Sequence, residues 1–205
     1  MESLDAMWTT SAGAEAYSRD YANHLRGLVE ALDFPTLAAI GDIIDSARRA
    51  GRTVYCVGNG GSAATASHFS TDLSWARRRP EHQVTSAISL VSNTPLMTAV
   101  ANDIGYEEVF TEQLMHLFRP GDVLFAISAS GNSANLLSAI TYANEHEGIT
   151  IGLTGFDGGK MKDACQTSLH VEAPLGMYEL VEDVQHSVCH MIATYLKRKA
   201  IPRST

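Results

Sequence analysis

The fold of this chain is decided by the stretch Val54-Tyr55-Cys56-Val57-Gly58-Asn59-Gly60-Gly61-Ser62. A short apolar, β-branched run ends here in a glycine-rich turn, and the residues that follow it, 63–72, are compatible with a helix. In α/β proteins this arrangement presents backbone N–H groups and a helix N-terminus to an anion. Ser62 adds a hydroxyl group to the same turn. The stretch therefore predicts an anion-binding turn between a buried strand and a helix.

A second turn of the same kind occurs further along the chain, at Ile127-Ser128-Ala129-Ser130-Gly131-Asn132-Ser133. Its three serine hydroxyls are neutral donors suited to phosphate oxygens. Helix capping explains Ser133 or Asn132 alone, but it does not explain all three serines. The first turn, by itself, is equally consistent with a tight connection, because it lacks the P-loop lysine and the dinucleotide-binding spacing. The two turns together favour a phosphorylated small molecule.

The composition fits a single globular domain. The chain has 205 residues, of which 45% are hydrophobic, and a formal net charge of -8. This charge argues against nucleic-acid binding, which requires a basic surface. The sequence has neither a long apolar run nor the pattern of a signal peptide, so no membrane association is expected. The odd number of cysteines argues against a disulfide framework and favours a cytoplasmic protein in which they are buried.

Periodic apolar residues divide the chain into a helical prefix, residues 1–51, and an α/β body, residues 52–205. The prefix has helical patterns at residues 14–32 and 37–51, and its apolar content on two sides suggests an oligomer. In the body, the predicted strands are residues 53–57, 84–90, 122–127, 149–153 and 167–171. The predicted helices are residues 62–78, 94–101, 107–118, 133–146, 160–165 and 178–199.

This alternation predicts an α/β fold, a three-layer sandwich around a five-stranded parallel sheet. In open parallel sheets the ligand binds at the carboxyl ends of the strands. The turns at residues 58–62, 128–133 and 154–159 all follow a predicted strand. We therefore expect them at one edge of the sheet, in one domain that spans residues 1–205.

Several motifs occur in an order and spacing that are specific to one family. They are Gly58-Asn59-Gly60-Gly61-Ser62, His68-Phe69, Ala101-Asn102-Asp103 before Gly105-Tyr106, Gly121-Asp122-Val123-Leu124, Ile127-Ser128 with Ser130-Gly131-Asn132-Ser133-Ala134-Asn135, and Leu153-Thr154-Gly155 with Asp157-Gly158-Gly159-Lys160. Over nearly the whole chain, the sequence resembles the sugar isomerase (SIS) domain and, within it, the phosphoheptose isomerases. The resemblance implies isomerisation of sedoheptulose 7-phosphate to D-glycero-heptose 7-phosphate through an enediol. It also implies a homotetramer with sites at subunit junctions.

The resemblance further implies one zinc ion, or another divalent first-row metal, per subunit. The matching ligand positions are His68, Asp72, Glu182 and His190, and imidazole and carboxylate groups suit such an ion. Asp72 stands where the family has a longer glutamate, and Glu182 where it has a neutral glutamine. An ordinary core or capping role is the usual interpretation of a single histidine, but four ligand-type residues favour a metal. His186, one turn from both Glu182 and His190, remains an alternative ligand or base.

The resemblance assigns Asp72 and His190 as an acid/base pair, and Glu182 is a rival base because Asp72 is shortened. The residues expected to bind the phosphate are Ser62, Ser128, Ser130 and Ser133, and Ala129 and Asn132 of the second turn are also expected to contact the substrate. Ala129 replaces a threonine of the family. The residues expected to bind the sugar hydroxyls and the carbonyl are Asn59, Gly60, Gly61, Asn102 and Asp103.

Two alternatives remain open. The first is an isomerase of another phosphosugar, since Asp72, Glu182 and Ala129 depart from the pattern of the family. The second is a non-catalytic relative that binds a sugar phosphate and acts as a sensor or adaptor. Such relatives lack the metal and acid/base residues, whereas this chain has His68, Asp72 and His190. Catalysis is therefore the favoured hypothesis.

Overall fold

A five-stranded parallel sheet, in the order β2-β1-β3-β4-β5, forms the centre of the protein. The computed structural model describes residues 4–75 and 84–199. The strands are β1 (Thr53–Gly58), β2 (Ser86–Ser89), β3 (Val123–Ser128), β4 (Ile149–Phe156) and β5 (Thr167–Glu172). The predicted fold class is confirmed, because strands that pair in parallel require the crossover helices that the sequence shows.

Helices cover both faces of this sheet. They are α1 (Leu4–Thr10), α2 (Ala14–Glu30), α3 (Phe34–Arg49), α4 (Gly60–Ser74), α5 (Thr94–Asp103), α6 (Thr111–Leu117), α7 (Ala134–Glu145), α8 (Gly159–Ala164) and α9 (Tyr178–Lys199), with a 3₁₀ turn at Tyr106–Glu108. No helix within the described ranges has the length and apolar character needed to span a membrane.

The sheet separates two apolar clusters, and β1 shows how it does so. Val54 and Cys56 belong to the cluster under α2, α3, α4 and α9, whereas Tyr55 and Val57 belong to the cluster under α5–α8. Neighbouring residues of a strand point to opposite faces, so a strand buried on both faces is apolar throughout. This explains why β1 and β3 show no alternation, whereas the edge strand β5 alternates buried Leu169 and Val171 with less buried polar residues. The three cysteines are buried, as expected.

The structure corrects several predicted boundaries. The helix predicted to reach residue 78 ends at Ser74, and Trp75 has extended backbone angles. Its end coincides with a hydrogen bond from Thr85 N to Leu73 O, which brings the chain back towards the sheet; residues 76–83 lie outside the described part. The strand predicted at residues 84–90 contains only Ser86–Ser89, and the helix predicted at residues 107–118 begins instead at Thr111. Helix α1 was not predicted.

A buried carboxylate joins α3 to the last turn of α9. Asp45, on α3, is 2% exposed and forms ion pairs with Arg48 and Arg49 of the same helix. Lys199 Nζ, on α9, lies 3.0 Å from Asp45 Oδ2. Burial by itself raises the pKa of Asp45, but the hydrogen bonds from Arg49, Arg48 and Lys199 outweigh it and hold this pKa well below its usual range. The carboxylate therefore remains charged and links the two helices.

We predict that Asp45→Asn lowers the free energy of unfolding by about 2 kcal/mol at neutral pH, because it leaves three cations without their buried partner. A lowered pKa in the folded state stabilises the fold above the ordinary carboxyl pKa of about 3.9, and this contribution is lost as the pH falls below it. The difference between wild type and variant should therefore shrink in acid. Urea unfolding at several pH values measures both effects.

Asp42→Asn is the matched control, because Asp42 also contacts Lys199 but is 65% exposed. An exposed pair contributes at most about 1 kcal/mol. Equal effects of the two substitutions would contradict the importance of burial.

Candidate active site

The first predicted anion-binding turn lies between β1 and α4. Ser62 is buried in the first turn of the helix, and no side chain caps the helix N-terminus. The first N–H groups of a helix have no partner within the helix, so they are available to an anion. Gly60 and Gly61, by contrast with Ser62, are exposed. The turn therefore has the donors that the sequence analysis predicted.

The second turn lies between β3 and α7. Ser128 Oγ accepts a hydrogen bond from Gly131 N at 3.0 Å, and its own hydroxyl hydrogen remains for another acceptor. Ser133 is the N-cap residue of α7, but its side chain makes no capping hydrogen bond. Ala129 is buried, and its carbonyl oxygen accepts a hydrogen bond from Gly155 N. The serines of this turn therefore retain donors for a phosphate, while Ala129 fixes the turn to β4.

The first residues of α8 donate hydrogen bonds to this second turn. Asn132 Oδ1 accepts a hydrogen bond from Lys160 N at 3.1 Å, and Met161 N donates to Gly131 O at 2.9 Å. Gly131 has φ +62, and a Cβ atom there would lie 2.0 Å from the carbonyl oxygen of Gly158. Only glycine fits such a close approach with this backbone conformation.

Asn59 joins the two turns through its side chain, and its role in substrate binding stays a prediction. Its side-chain amide exchanges two hydrogen bonds with that of Asn135, both at 2.9 Å, and its Oδ1 also accepts from the Tyr106 hydroxyl at 2.9 Å. This network fixes the first turn to the helix that follows the second turn. The sequence analysis did not predict these contacts of Asn135 and Tyr106, although both residues occur in the motifs of the family resemblance.

Asn102 and Asp103 lie at the exposed end of α5. Asn102 Nδ2 donates to Asp103 Oδ1 at 2.8 Å. Within the described residues, no hydrogen bond joins this pair to another predicted site residue. Their role in sugar binding stays a prediction.

The predicted metal ligands lie along the contact between α4 and α9. His68 Nε2, on α4, is 3.0 Å from His190 Nε2, on α9. Asp72 Oδ2 lies 3.4 Å from the first of these nitrogens and 3.7 Å from the second. Two imidazoles and a carboxylate at this spacing match the donor types that zinc and related divalent metals use. The residues therefore fit such an ion.

His186 belongs to the same cluster. One ligand atom from each of His68, His186 and His190 can be chosen so that all three lie within 4.8 Å of one another. Burial, followed by the charges of His190 and His68, lowers the pKa of His186, which favours the neutral imidazole. The sequence analysis left this residue as an alternative, since its spacing of four residues from Glu182 and His190 is its only signal.

The Glu182 carboxylate lies against the first turn of α4 and not among the imidazoles. A Cβ atom at Gly61 would be 2.2 Å from Glu182 Oε2. Within the described ranges, Glu182 forms no hydrogen bond and no ion pair with any side chain. Burial, followed by the charges of Glu179 and Asp183, raises its pKa. The structure thus places this carboxylate beside the glycine-rich turn.

Lys197 is a further residue that the sequence analysis missed. Its Nζ atom, on α9, donates to Asp72 Oδ1 at 2.9 Å. This contact occupies one carboxylate oxygen and turns the other towards the two imidazoles. The sequence gives no signal for the pair, because the two residues are 125 positions apart.

The imidazole cluster is open on one side. The His68 and His190 side chains are 49% and 47% exposed. A larger cavity, of about 680 Å³, lies elsewhere, between α2 and the ends of β4 and β5. The ligand-type side chains, rather than the size of a cavity, mark the candidate site, because chemistry requires these groups.

Comparisons with known proteins show the family. The model of the SIS domain family matches residues 16–155. A phosphoheptose isomerase from Rhodospirillum rubrum is 39% identical over 158 residues, which are 77% of this chain and 82% of that protein. The chain belongs to the SIS domain family.

Within the SIS domain family, the chain groups with the phosphoheptose isomerases, as the motifs predicted. A probable phosphoheptose isomerase from Thermoplasma acidophilum is 37% identical over 168 residues, 82% of this chain and 91% of that protein. The solved structure of a phosphoheptose isomerase from Francisella tularensis superposes with a TM-score of 0.79 at 26% identity, over 97% of this chain and all of that chain.

We predict that Gly131→Ala destabilises this SIS domain by at least about 3 kcal/mol, because it adds steric overlap to a strained backbone conformation. Gly60→Ala is the matched control: Gly60 also has positive φ, but a Cβ atom there would meet nothing within 4 Å. The control should cost about 1 kcal/mol. Urea unfolding of both variants measures the difference, and equal losses would argue against the close approach to Gly158.

Proposed function

We propose that this protein is an aldose–ketose isomerase that converts sedoheptulose 7-phosphate to D-glycero-heptose 7-phosphate. The observation that carries the proposal is the position of the Glu182 carboxylate, which lies against Gly61 in the turn predicted to bind the substrate. The relatives named phosphoheptose isomerase, at 39% and 37% identity, support the choice of substrate.

The phosphate is proposed to bind at the second turn. The Ser130 and Ser133 hydroxyls and the uncapped N-terminus of α7 offer donors without a competing side-chain cap. A neutral site of this kind binds a phosphate through dipoles, which is compatible with the net charge of -8. The sugar chain then extends towards Gly61 and Glu182, at the neighbouring strand.

Glu182 is proposed as the base. Its raised pKa brings it closer to the range in which a carboxylate is an effective base at neutral pH. Asp72, the rival, has one oxygen occupied by Lys197 and the other directed at two imidazoles. A carboxylate held in this way is a weaker candidate for proton abstraction. We therefore assign Asp72 and His190 as ligands of the proposed metal rather than as an acid/base pair.

The reaction then needs three proton movements. Glu182 removes a proton from C1, beside the ketone at C2, and the C1 hydroxyl proton passes to the neighbouring oxygen on C2, which gives the enediolate with its negative charge on the C1 oxygen. The carboxylic acid of Glu182 returns its proton to C2, and the C1 oxygen becomes the aldehyde oxygen. Glu182 ends as the carboxylate with which it began, so the step is balanced.

A divalent metal is proposed to act at the same site. His68, Asp72 and His190 would hold it, since their donor atoms lie within 3.7 Å of one another. When bound, such an ion supplies Lewis-acid stabilisation for the oxyanion that develops next to the abstracted proton. Zinc is the proposed metal, and action in the cytoplasm stays a prediction.

The direct test follows the isomerisation by NMR. Wild-type protein loaded with zinc should convert sedoheptulose 7-phosphate to the aldose, and Glu182→Gln should lower kcat by at least about 100-fold, as expected for loss of a general base. Glu179→Gln, one turn earlier on α9, is the matched control and should retain activity. Unchanged turnover in Glu182→Gln would remove Glu182 as the base. If the wild type is inactive with this sugar but active with another, the proposed substrate is wrong.

We also propose that the protein is a homotetramer whose subunits cover the open side of each site. An apolar groove of about 300 Å³ between α3 and α9 is lined by residues that include Phe34, Leu37, Met191 and Tyr195. Phe34 and Tyr195 are nearly half exposed. Exposed apolar surface of this kind is typical of an interface. The role of residues 1–51 in assembly stays part of this proposal.

Light scattering coupled to size-exclusion chromatography measures the assembly. Wild-type protein at micromolar concentration should have about four times the mass of one chain, and Phe34→Asp should lower that mass, because a charge in an apolar contact is costly. A monomeric wild type would refute the proposal.

A further inference from the structure

The contact between α4 and α9 has a regular order. From one end to the other, residues of the first helix face residues of the second in the pairs Gly61 with Glu182, Thr65 with His186, His68 with His190, and Asp72 with Lys197. Both helices advance in the same direction along this contact. Because an α-helix has 3.6 residues per turn, the first three pairs lie about one turn apart, whereas Asp72 lies about one turn beyond His68 and Lys197 about two turns beyond His190.

Along α9, His186 lies one turn after Glu182 and one turn before His190. Its ring centroid is 4.8 Å from that of His68 and 4.6 Å from that of His190. Its Nδ1 atom lies 3.4 Å from Thr65 Oγ1. A hydrogen bond at one imidazole nitrogen orients the ring and leaves the other nitrogen for a ligand role.

We propose that His186 is the fourth ligand of the metal, together with His68, His190 and Asp72, and that Glu182 is not a ligand. The inference rests on the proposed function only in assuming that a divalent metal binds at this site. It replaces the ligand set implied by the family resemblance, in which the position of Glu182 completes the site.

The position of Glu182 supports this replacement. Its carboxylate contacts Gly61 and forms no ion pair with any histidine in the described part of the chain. His68 follows Gly61 by seven residues, which is about two turns of α4. One ring nitrogen from each of the three histidines, by contrast, can be chosen so that all three lie within 4.8 Å of one another.

The ligand set has a chemical consequence. With three imidazoles and one carboxylate, four protein donors complete a tetrahedral zinc site. Glu182 then remains a free carboxylate at the glycine-rich turn, so metal binding and proton abstraction belong to different residues. A carboxylate bound to zinc would be a weaker base, and the arrangement avoids this conflict.

The experiment measures metal binding without turnover. Protein stripped with a chelator is titrated with Co²⁺, and the visible absorption of the bound ion gives the affinity of wild type, His186→Ala, Glu182→Gln and His146→Ala. Loss of even an outer-shell partner typically costs about 10- to 100-fold in metal affinity, so His186→Ala should weaken binding by at least about tenfold. Glu182→Gln and His146→Ala, an exposed histidine at the end of α7, should bind as the wild type does.

A second measurement does not depend on the folding of any variant. Proton NMR of the Co²⁺-loaded wild type should show three exchangeable, paramagnetically shifted imidazole resonances, one for each bound histidine. Two resonances, wild-type affinity in a folded His186→Ala, a loss of affinity in Glu182→Gln, or no Co²⁺ binding by the wild type would each overturn the inference. Three resonances in a protein without isomerase activity would support it, while the proposed reaction would fall.

Discussion

The side-by-side packing of α4 and α9 is the interaction on which the rest of the site depends. Apolar residues of both helices, among them Phe69, Val184 and Val188, are buried in the same cluster against the sheet. This burial fixes the register of the two helices, since close-packed interiors tolerate little sliding. The polar faces of the same helices then present their side chains in matched pairs. The chemistry of the site is thus a consequence of core packing.

Two electrostatic features of the site oppose each other. A phosphorylated substrate is an anion, yet the protein is acidic and has carboxylates close to the site. Backbone N–H groups at the uncapped starts of α4 and α7 offer positive potential without net charge. Lys197 neutralises Asp72 locally. The hydrogen bonds of Asn59 with Asn135 and Tyr106 link the two turns that are predicted to bind an anion.

Much of the fold was predictable because it follows from local sequence. The strands β1 and β3 are nearly continuous apolar runs, and Pro35, at the N-terminus of α3, marks the start of that helix as expected. The predicted boundaries were wrong where tertiary contacts, and not the local sequence, determine where an element begins or ends. Strand β2 is shorter than the strand predicted at residues 84–90 because only Ser86–Ser89 pair with β1. A boundary of this kind depends on a partner strand that is distant in sequence.

The sequence by itself determined the family, the two strand-to-helix turns predicted to bind an anion, and the helix face on which Glu182, His186 and His190 follow one another. These are properties of adjacent residues and of the helical period. Only the tertiary structure decided what faces that helix. His68 meets His190 across 122 positions, and Lys197 meets Asp72 across 125. No local pattern encodes such pairs, because burial of apolar surface brings the two helices together and sets their register.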